Sequence, residues 1–303
     1  MYSIPILFVI FKRRDIALET FEQIKHLRPA KLYIAGDGAR KGIMGEEKEV
    51  IDTRKAVLEG IDWDCEVETL FQDINLGCGM GVYTAINWFF EKEEEGIILE
   101  DDCIAHPTFF QYVEELLHRY KADERIGMIA GTNPIAQIDI HASYCFSRYA
   151  ACWGWATWRR AWRNMRIEMD FLQTSKKNIL NNRGLYAKEN KRWNYQLLMI
   201  KKKRVSAWDW QWYFSLAAQN QLCIFPSVNL ISNIGNDNAA THTSRASIYL
   251  ERKELSFPLI HPETVLPDFA FDHAFYKYEN MFKERLKRTM PYRLKQIVKK
   301  FLR

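Results

Sequence analysis

The sequence predicts an α/β fold built on a mostly parallel sheet with helices on both faces. Over the first 130 residues, short apolar runs alternate with longer stretches in which apolar residues return every three or four positions, the βαβα order of such a sheet. One apolar run, Gly96-Ile97-Ile98-Leu99, ends abruptly in three carboxylates, Glu100-Asp101-Asp102. Three acids cannot continue a core strand, so they belong at its carboxyl end, where open α/β sheets bind their ligands. With 303 residues, 48% hydrophobic and 14% aromatic, the chain can bury a large core as one elaborated domain or one domain with a helical extension.

The elements follow in order. Pro5–Phe11 reads as the first strand, Asp15–His26 as a helix with Ile16, Leu18, Phe21, Ile24 and Leu27 as its apolar residues, and Lys31–Ala35 as the second strand. Glu46–Leu58 is helical, Cys65–Leu70 alternates as a strand, and Val82–Glu93 is an aromatic-rich helix. Gly96–Leu99 is the next strand, Thr108–Lys121 a helix, and Ile126–Ala130 a strand. The second half is less regular: a tryptophan cluster (Trp153, Trp155, Trp158, Trp162), a basic helical stretch over 174–204, a second cluster (Trp208, Trp210, Trp212), a strand at Leu222–Pro226 and a polar loop from Asn233 to Thr243. The expected division is 1–132 as a ligand-binding α/β half, 133–245 as the second half of the same domain, and 246–303 as a C-terminal extension.

Composition excludes several classes. The net charge of +5 comes from the tail, where residues 280–303 hold nine Lys or Arg and one acid. Six cysteines lack CxxC or zinc-like spacing, so no disulfide framework is expected and a reducing cytoplasm suits the chain. The run Ile4 to Phe11 is too short to cross a bilayer and its basic residues follow it, the wrong order for a signal peptide. Nucleic-acid binding is disfavoured, because the basic residues sit in an amphipathic tail with few aromatics for base stacking.

Four strand ends place polar groups at one sheet edge: Lys12-Arg13-Arg14, Gly36-Asp37-Gly38, Asp73-Ile74-Asn75-Leu76-Gly77 and Glu100-Asp101-Asp102. A crevice holding arginines, an Asp on a glycine-flanked turn and an acid cluster suits a nucleotide diphosphate, with Mn²⁺ or Mg²⁺ bound by one or two carboxylates plus phosphate oxygens and water.

The segment Ile97-Ile98-Leu99-Glu100-Asp101-Asp102-Cys103-Ile104-Ala105-His106-Pro107-Thr108-Phe109-Phe110 resembles the metal-binding, DxD-like segment of GT-A nucleotide-sugar glycosyltransferases, nearest to the N-acetylglucosaminyltransferase I type. Val9-Ile10-Phe11-Lys12-Arg13-Arg14, His26-Leu27-Arg28-Pro29, Asn75-Leu76-Gly77 and Ser232-Asn233-Ile234-Gly235 extend the resemblance over roughly residues 4–245. It implies a GT-A, Rossmann-like sheet and a UDP-sugar donor, with Arg14 on the diphosphate, Asp37 on uracil or ribose, Glu100 and Asp101 on ribose and sugar, and Asp102 on the metal. His242, in the polar loop, would be a metal or diphosphate ligand, or would orient that loop by hydrogen bonding.

In Trp208-Asp209-Trp210-Gln211-Trp212 one carboxylate lies among indoles, where desolvation would raise its pKa toward useful basicity. Asp209 is the candidate general base for an inverting transfer, or the N-cap of a helix starting there. Trp153-Gly154-Trp155 reads equally as core packing or as a surface stacked on the donor sugar, with Trp155 its candidate. In the tail, Leu294, Ile297, Val298, Phe301 and Leu302 share one helical face and Lys295, Lys299, Lys300 and Arg303 the other. An anionic membrane surface would attract residues 281–303, placing the protein at the inner face of a membrane, and a helix packed on the domain is the competing reading. The function expected is a metal-dependent glycosyltransferase using a saccharide or lipid-linked acceptor. A sugar nucleotidyltransferase and a non-catalytic carbohydrate-binding protein are the alternatives.

Overall fold

The computed structural model describes residues 1–135, 140–183, 187–204, 208–235 and 250–289. The first half follows the expected alternation: β1 (Ile6–Ile10), α1 (Arg14–Leu27), β2 (Lys31–Gly36), α2 (Glu46–Glu59), β3 (Glu66–Phe71), α3 (Gly77–Lys92) and β4 (Glu95–Glu100). Then come β5 (Cys103–Ala105), α4 (Pro107–Arg119), β6 (Ile126–Ala130), β7 (Tyr144–Ser147), β8 (Trp155–Trp158), α5 (Arg159–Trp162), α6 (Leu172–Arg183), α7 (Ala187–Lys201), α8 (Asp209–Ala218), β9 (Leu222–Pro226), β10 (Ile231–Asn233) and α9 (Phe269–Thr289).

Eight strands form one sheet in the order β3-β2-β1-β4-β8-β6-β9-β7, and β5 pairs with β10 in a small second one. Strands β3, β2, β1 and β4 are mutually parallel, with Ile6 opposite Leu32 on one side and Ile97 on the other. β8 runs against β4 and β6, β9 is parallel to β6, and β7 runs against β9, so β8 and β7 alone oppose the common direction. The mostly parallel α/β sheet expected from the sequence is the one observed.

Both faces of the central strands are buried, which is why they read as unbroken apolar runs. Alternation at period two sends Ile6, Phe8 and Ile10 into a layer with Phe21, Phe109, Val113 and Leu117 of α1 and α4. Leu7 and Ile98 point into the opposite layer, with Phe89 of α3 and Trp212 of α8.

That second layer corrects one expectation. Trp155 is 0% exposed, stacked on Trp208 at a ring separation of 5.5 Å and packed against Trp162 and Trp212 at 6.2 and 6.1 Å. β8 lies between β4 and β6, so its indole is core and cannot touch a donor sugar. β7 and β8 themselves escape sequence reading because four residues show no measurable period.

The start of α9 is built into the domain. Phe271 and Phe275 pack on Phe225 of β9 at 4.9 and 5.6 Å, and the buried Asp272 accepts a 2.5 Å hydrogen bond from Ser147 of β7. His242 and the apolar and basic faces of the 290–303 segment lie outside the described residues. Among the described residues no helix is long and apolar enough to cross a membrane, and the six cysteines are free thiols.

Candidate functional site

The carboxyl ends of β1 to β4 and the start of α3 surround a cleft that opens to solvent. Arg13, Asp37, Asn75, Cys78, Glu100 and Asp101 are among its lining residues.

The three basic residues after β1 have three fates, because α1 begins at Arg14 and turns successive side chains apart. Lys12 pairs with the buried Glu46 at 3.1 Å. Arg13 turns inward: its Nη2 donates to Asp102 Oδ2 at 2.8 Å and also to Asp101 Oδ1. Arg14 points outward, its side chain 57% exposed against 19% for Arg13, with only a 3.8 Å approach to Asp15. The arginine that lines the cleft is therefore Arg13, and the assignment of Arg14 to the diphosphate is corrected by one residue.

The acid turn is fastened from the second half of the chain. β10 lies antiparallel to β5 with Asn233 opposite Cys103. Asn233 Nδ2 donates to Asp102 Oδ1 at 2.9 Å, and the Ile234 amide donates to the Asp102 carbonyl at 2.9 Å. A Cβ at Gly235 would collide with the Asp102 carboxylate, so only glycine permits this approach.

Burial dominates the electrostatics of the turn. It lifts Glu100 to about 8, helped by Asp102, Asp101 and Asp209. It also lifts Asp101 to about 6, against the pull of Arg13. Near neutral pH Glu100 is therefore largely protonated, and a cation bound beside it would favour its ionised form. Arg13 pairs with Asp101 and Asp102 alike, so an ion held by Glu100 and Asp102, hard oxygens suited to Mn²⁺ or Mg²⁺, would share Asp102 with that guanidinium. Among the described residues no three His, Cys, Asp or Glu side chains make a ready-formed cage, so such an ion would need phosphate and water to complete its shell.

Asp37 lies in the cleft, but its carboxylate is already engaged. Oδ1 accepts from the amides of Leu76 at 2.8 Å and Gly38 at 3.0 Å, and Oδ2 accepts from Gly77 N at 2.8 Å and Asn75 Nδ2 at 2.9 Å. The carboxylate thereby satisfies amides that the first turn of α3 would otherwise leave unpaired. This arrangement favours a role in shaping the cleft over the base or ribose contact implied by the resemblance. A Cβ at Gly38 would lie 2.5 Å from the Ile74 carbonyl carbon, which explains the glycine. Arg54 braces the same corner, its Nη2 donating to the carbonyls of Gly36, Asp37 and Gln72 at 3.2, 3.0 and 2.9 Å.

Asp209 is the first residue of α8 and follows the N-cap, Trp208. It faces a second cavity together with Cys152, Trp153, Trp210 and Tyr213. Burial raises it to about 6, opposed by the backbone N–H groups at the helix start. Among the described residues the two cavities share no lining residue, but the charges of Glu100 and Asp209 act on both Cys78 of the first and Cys152 of the second, whose thiols burial pushes up.

Sequence reading singled out Glu100, Asp101, Asp102 and Asp209, counted Arg13 and Asn75 only among the polar strand ends, and gave no role to Glu46 or Arg54. Asn75 and Glu46 carried no signal beyond a turn and a helix start.

No protein-family model and no curated protein sequence matches the chain. Solved structures give partial similarities. Residues 1–349 of S. aureus TarS give a TM-score of 0.38 at 7% identity over 55% of this chain and 50% of that one. HddC from Yersinia pseudotuberculosis gives 0.33 at 7% identity over 56% and 86%, and UDP-glucose pyrophosphorylase complexed with UDP-glucose gives 0.28 at 11% over 48% and 61%. This chain thus spans half the length of the TarS chain it matches.

Proposed function

We propose that the chain transfers a sugar from a nucleotide-sugar donor, a UDP-sugar by resemblance of its acid turn to GT-A enzymes, to a saccharide or lipid-linked acceptor. The observation that carries this is a pair of electrostatically coupled carboxylates, Glu100 in the cleft and Asp209 in the second cavity. The cleft is lined by Arg13, Glu100 and Asp101, and the second cavity by the buried carboxylate of Asp209, whose charge reaches Glu100.

In this reading the nucleoside diphosphate lies at the carboxyl ends of β1 to β4. Arg13 holds Asp101 and Asp102 in place and adds positive charge beside the leaving phosphates. When bound, Mn²⁺ or Mg²⁺ would supply charge neutralisation at the diphosphate, with Glu100 and Asp102 as its protein oxygens. Asp209 accepts the proton of an acceptor hydroxyl as that oxygen bonds to the anomeric carbon. The carbon's bond to the phosphate oxygen breaks on the opposite side and the stereocentre inverts. A carboxyl with a pKa raised to about 6 remains ionised at neutral pH while being a stronger base than an ordinary aspartate.

The test is nucleotide release from a panel of UDP-sugars, with Mn²⁺ and with EDTA. UDP released only with the metal supports the reading. Pyrophosphate release would identify a nucleotidyltransferase, and silence on every donor would sink transferase activity.

A further inference from the structure

The second cavity is walled by three parts of the chain: α8 with Asp209, Trp210 and Tyr213, the segment before β8 with Trp153, and the first half of α9 with Phe275 and Tyr278. The α9 wall is held firmly. Tyr149 stacks on Phe275 at 4.8 Å with planes 20° apart, and Glu279 of α9 forms an ion pair with Arg192 of α7. The Arg192 guanidinium also lies 5.6 Å from the Trp210 ring centroid. Phe271 and Asp272, one turn earlier, fix the helix to β9 and β7.

The chemistry of this wall is selective. Among the described residues lining the cavity there is no Lys, Arg or His, while two carboxylates, Asp209 and Glu279, face it. Arg192, the cation that approaches, is neutralised by Glu279. A phosphorylated or otherwise anionic ligand would therefore lose water and gain no counter-charge. An uncharged sugar ring meets the opposite situation: its C–H faces carry slight positive charge and suit the negative faces of aromatic rings, while a hydroxyl can donate to Asp209.

We infer that this cavity is the subsite for an uncharged saccharide acceptor and that α9 forms one of its walls. The inference rests on the transferase reading above for the direction of transfer, and on the cavity alone for the ligand class.

The test is binding of the full chain to a printed array of neutral, sulfated and phosphorylated mono- to tetrasaccharides, with UDP titration in parallel. Binding to neutral glycans is expected, falling at least tenfold in Tyr278→Ala and Trp153→Ala and persisting in Tyr278→Phe, which keeps the aromatic face. If Tyr278→Ala loses helical circular dichroism, Trp153→Ala, on another element, decides. Binding confined to anionic glycans, no glycan bound, or binding untouched by the deciding variant overturns the inference. UDP bound without any glycan would overturn it while sparing the donor reading. Neutral glycans bound without UDP would do the reverse.

Discussion

Arg13 lies 2.8 Å from Asp102, its Nη2 against Oδ2, and the same nitrogen also donates to Asp101. One guanidinium from the end of β1 thus fixes two successive carboxylates of the acid turn, while Arg14 faces solvent. Breaking a largely buried pair leaves uncompensated charge, which costs about 2–4 kcal/mol. Arg13→Ala is expected to lower stability by that amount in urea unfolding and to weaken UDP binding at least tenfold by calorimetry. Arg14→Ala should stay within about twofold of wild type, as surface charges do. Equal effects of the two substitutions would show that the inward arginine has been misidentified.

Asp37 ties the β2 end to the start of α3 through three hydrogen bonds, from Asn75, Leu76 and Gly77, and accepts a fourth from its neighbour Gly38. Asp37→Ala should cost about 2–3 kcal/mol, since several amides lose a charged acceptor at once. Asn75→Ala, which removes one of those donors, should cost about 1 kcal/mol. Chemical denaturation of both variants measures the difference, and an Asp37→Ala protein as stable as wild type contradicts the clamp.

Asp209 works as a base only when ionised, and burial places its pKa near 6. The rate should therefore rise with pH through about 6 and level off above it. Asp209→Asn should reduce kcat by about 10²-fold or more with donor binding nearly unchanged. A pH–rate profile with no acidic limb near that value would remove Asp209 from the proton transfer.

Glu46 has a pKa shifted in the other direction. Hydrogen bonds from Arg40, the largest cause, and Lys12 hold its pKa down at about 2. A depressed folded pKa contributes stability that is present above the ordinary value near 4.5 and lost as pH falls through about 2. Glu46→Gln should destabilise the protein by about 1–2 kcal/mol at pH 7, discounted because Arg40 is half exposed, and by almost nothing at pH 2. Thermal melts of both proteins across that range provide the measurement.

Legibility in the sequence followed periodicity. β1 to β4 and the helices between them are long enough, and buried regularly enough, for their repeat to be visible, and the acid turn announced itself by breaking an apolar run. Short antiparallel strands carried no such repeat, so β7 and β8 were invisible and Trp155 could be read as surface or core alike. Arg13 and Arg14 are chemically identical, and only the turn of α1 distinguishes them. Asp37 gave the pattern of a glycine-flanked loop acid, with nothing to indicate that Asn75, Leu76 and Gly77 would meet it from the loop after β3 and the start of α3.

By itself the sequence determined the α/β sheet and the position of Glu100, Asp101 and Asp102 at a strand's carboxyl end, because burial on both faces and an abrupt run of charge are local properties of a chain. Tertiary structure alone decided that Arg13 grips the acids, that Asp37 serves the backbone of α3, and that α9 joins Asp209 around one cavity. Those relationships join residues far apart in the chain, and only packing brings them within reach of one another.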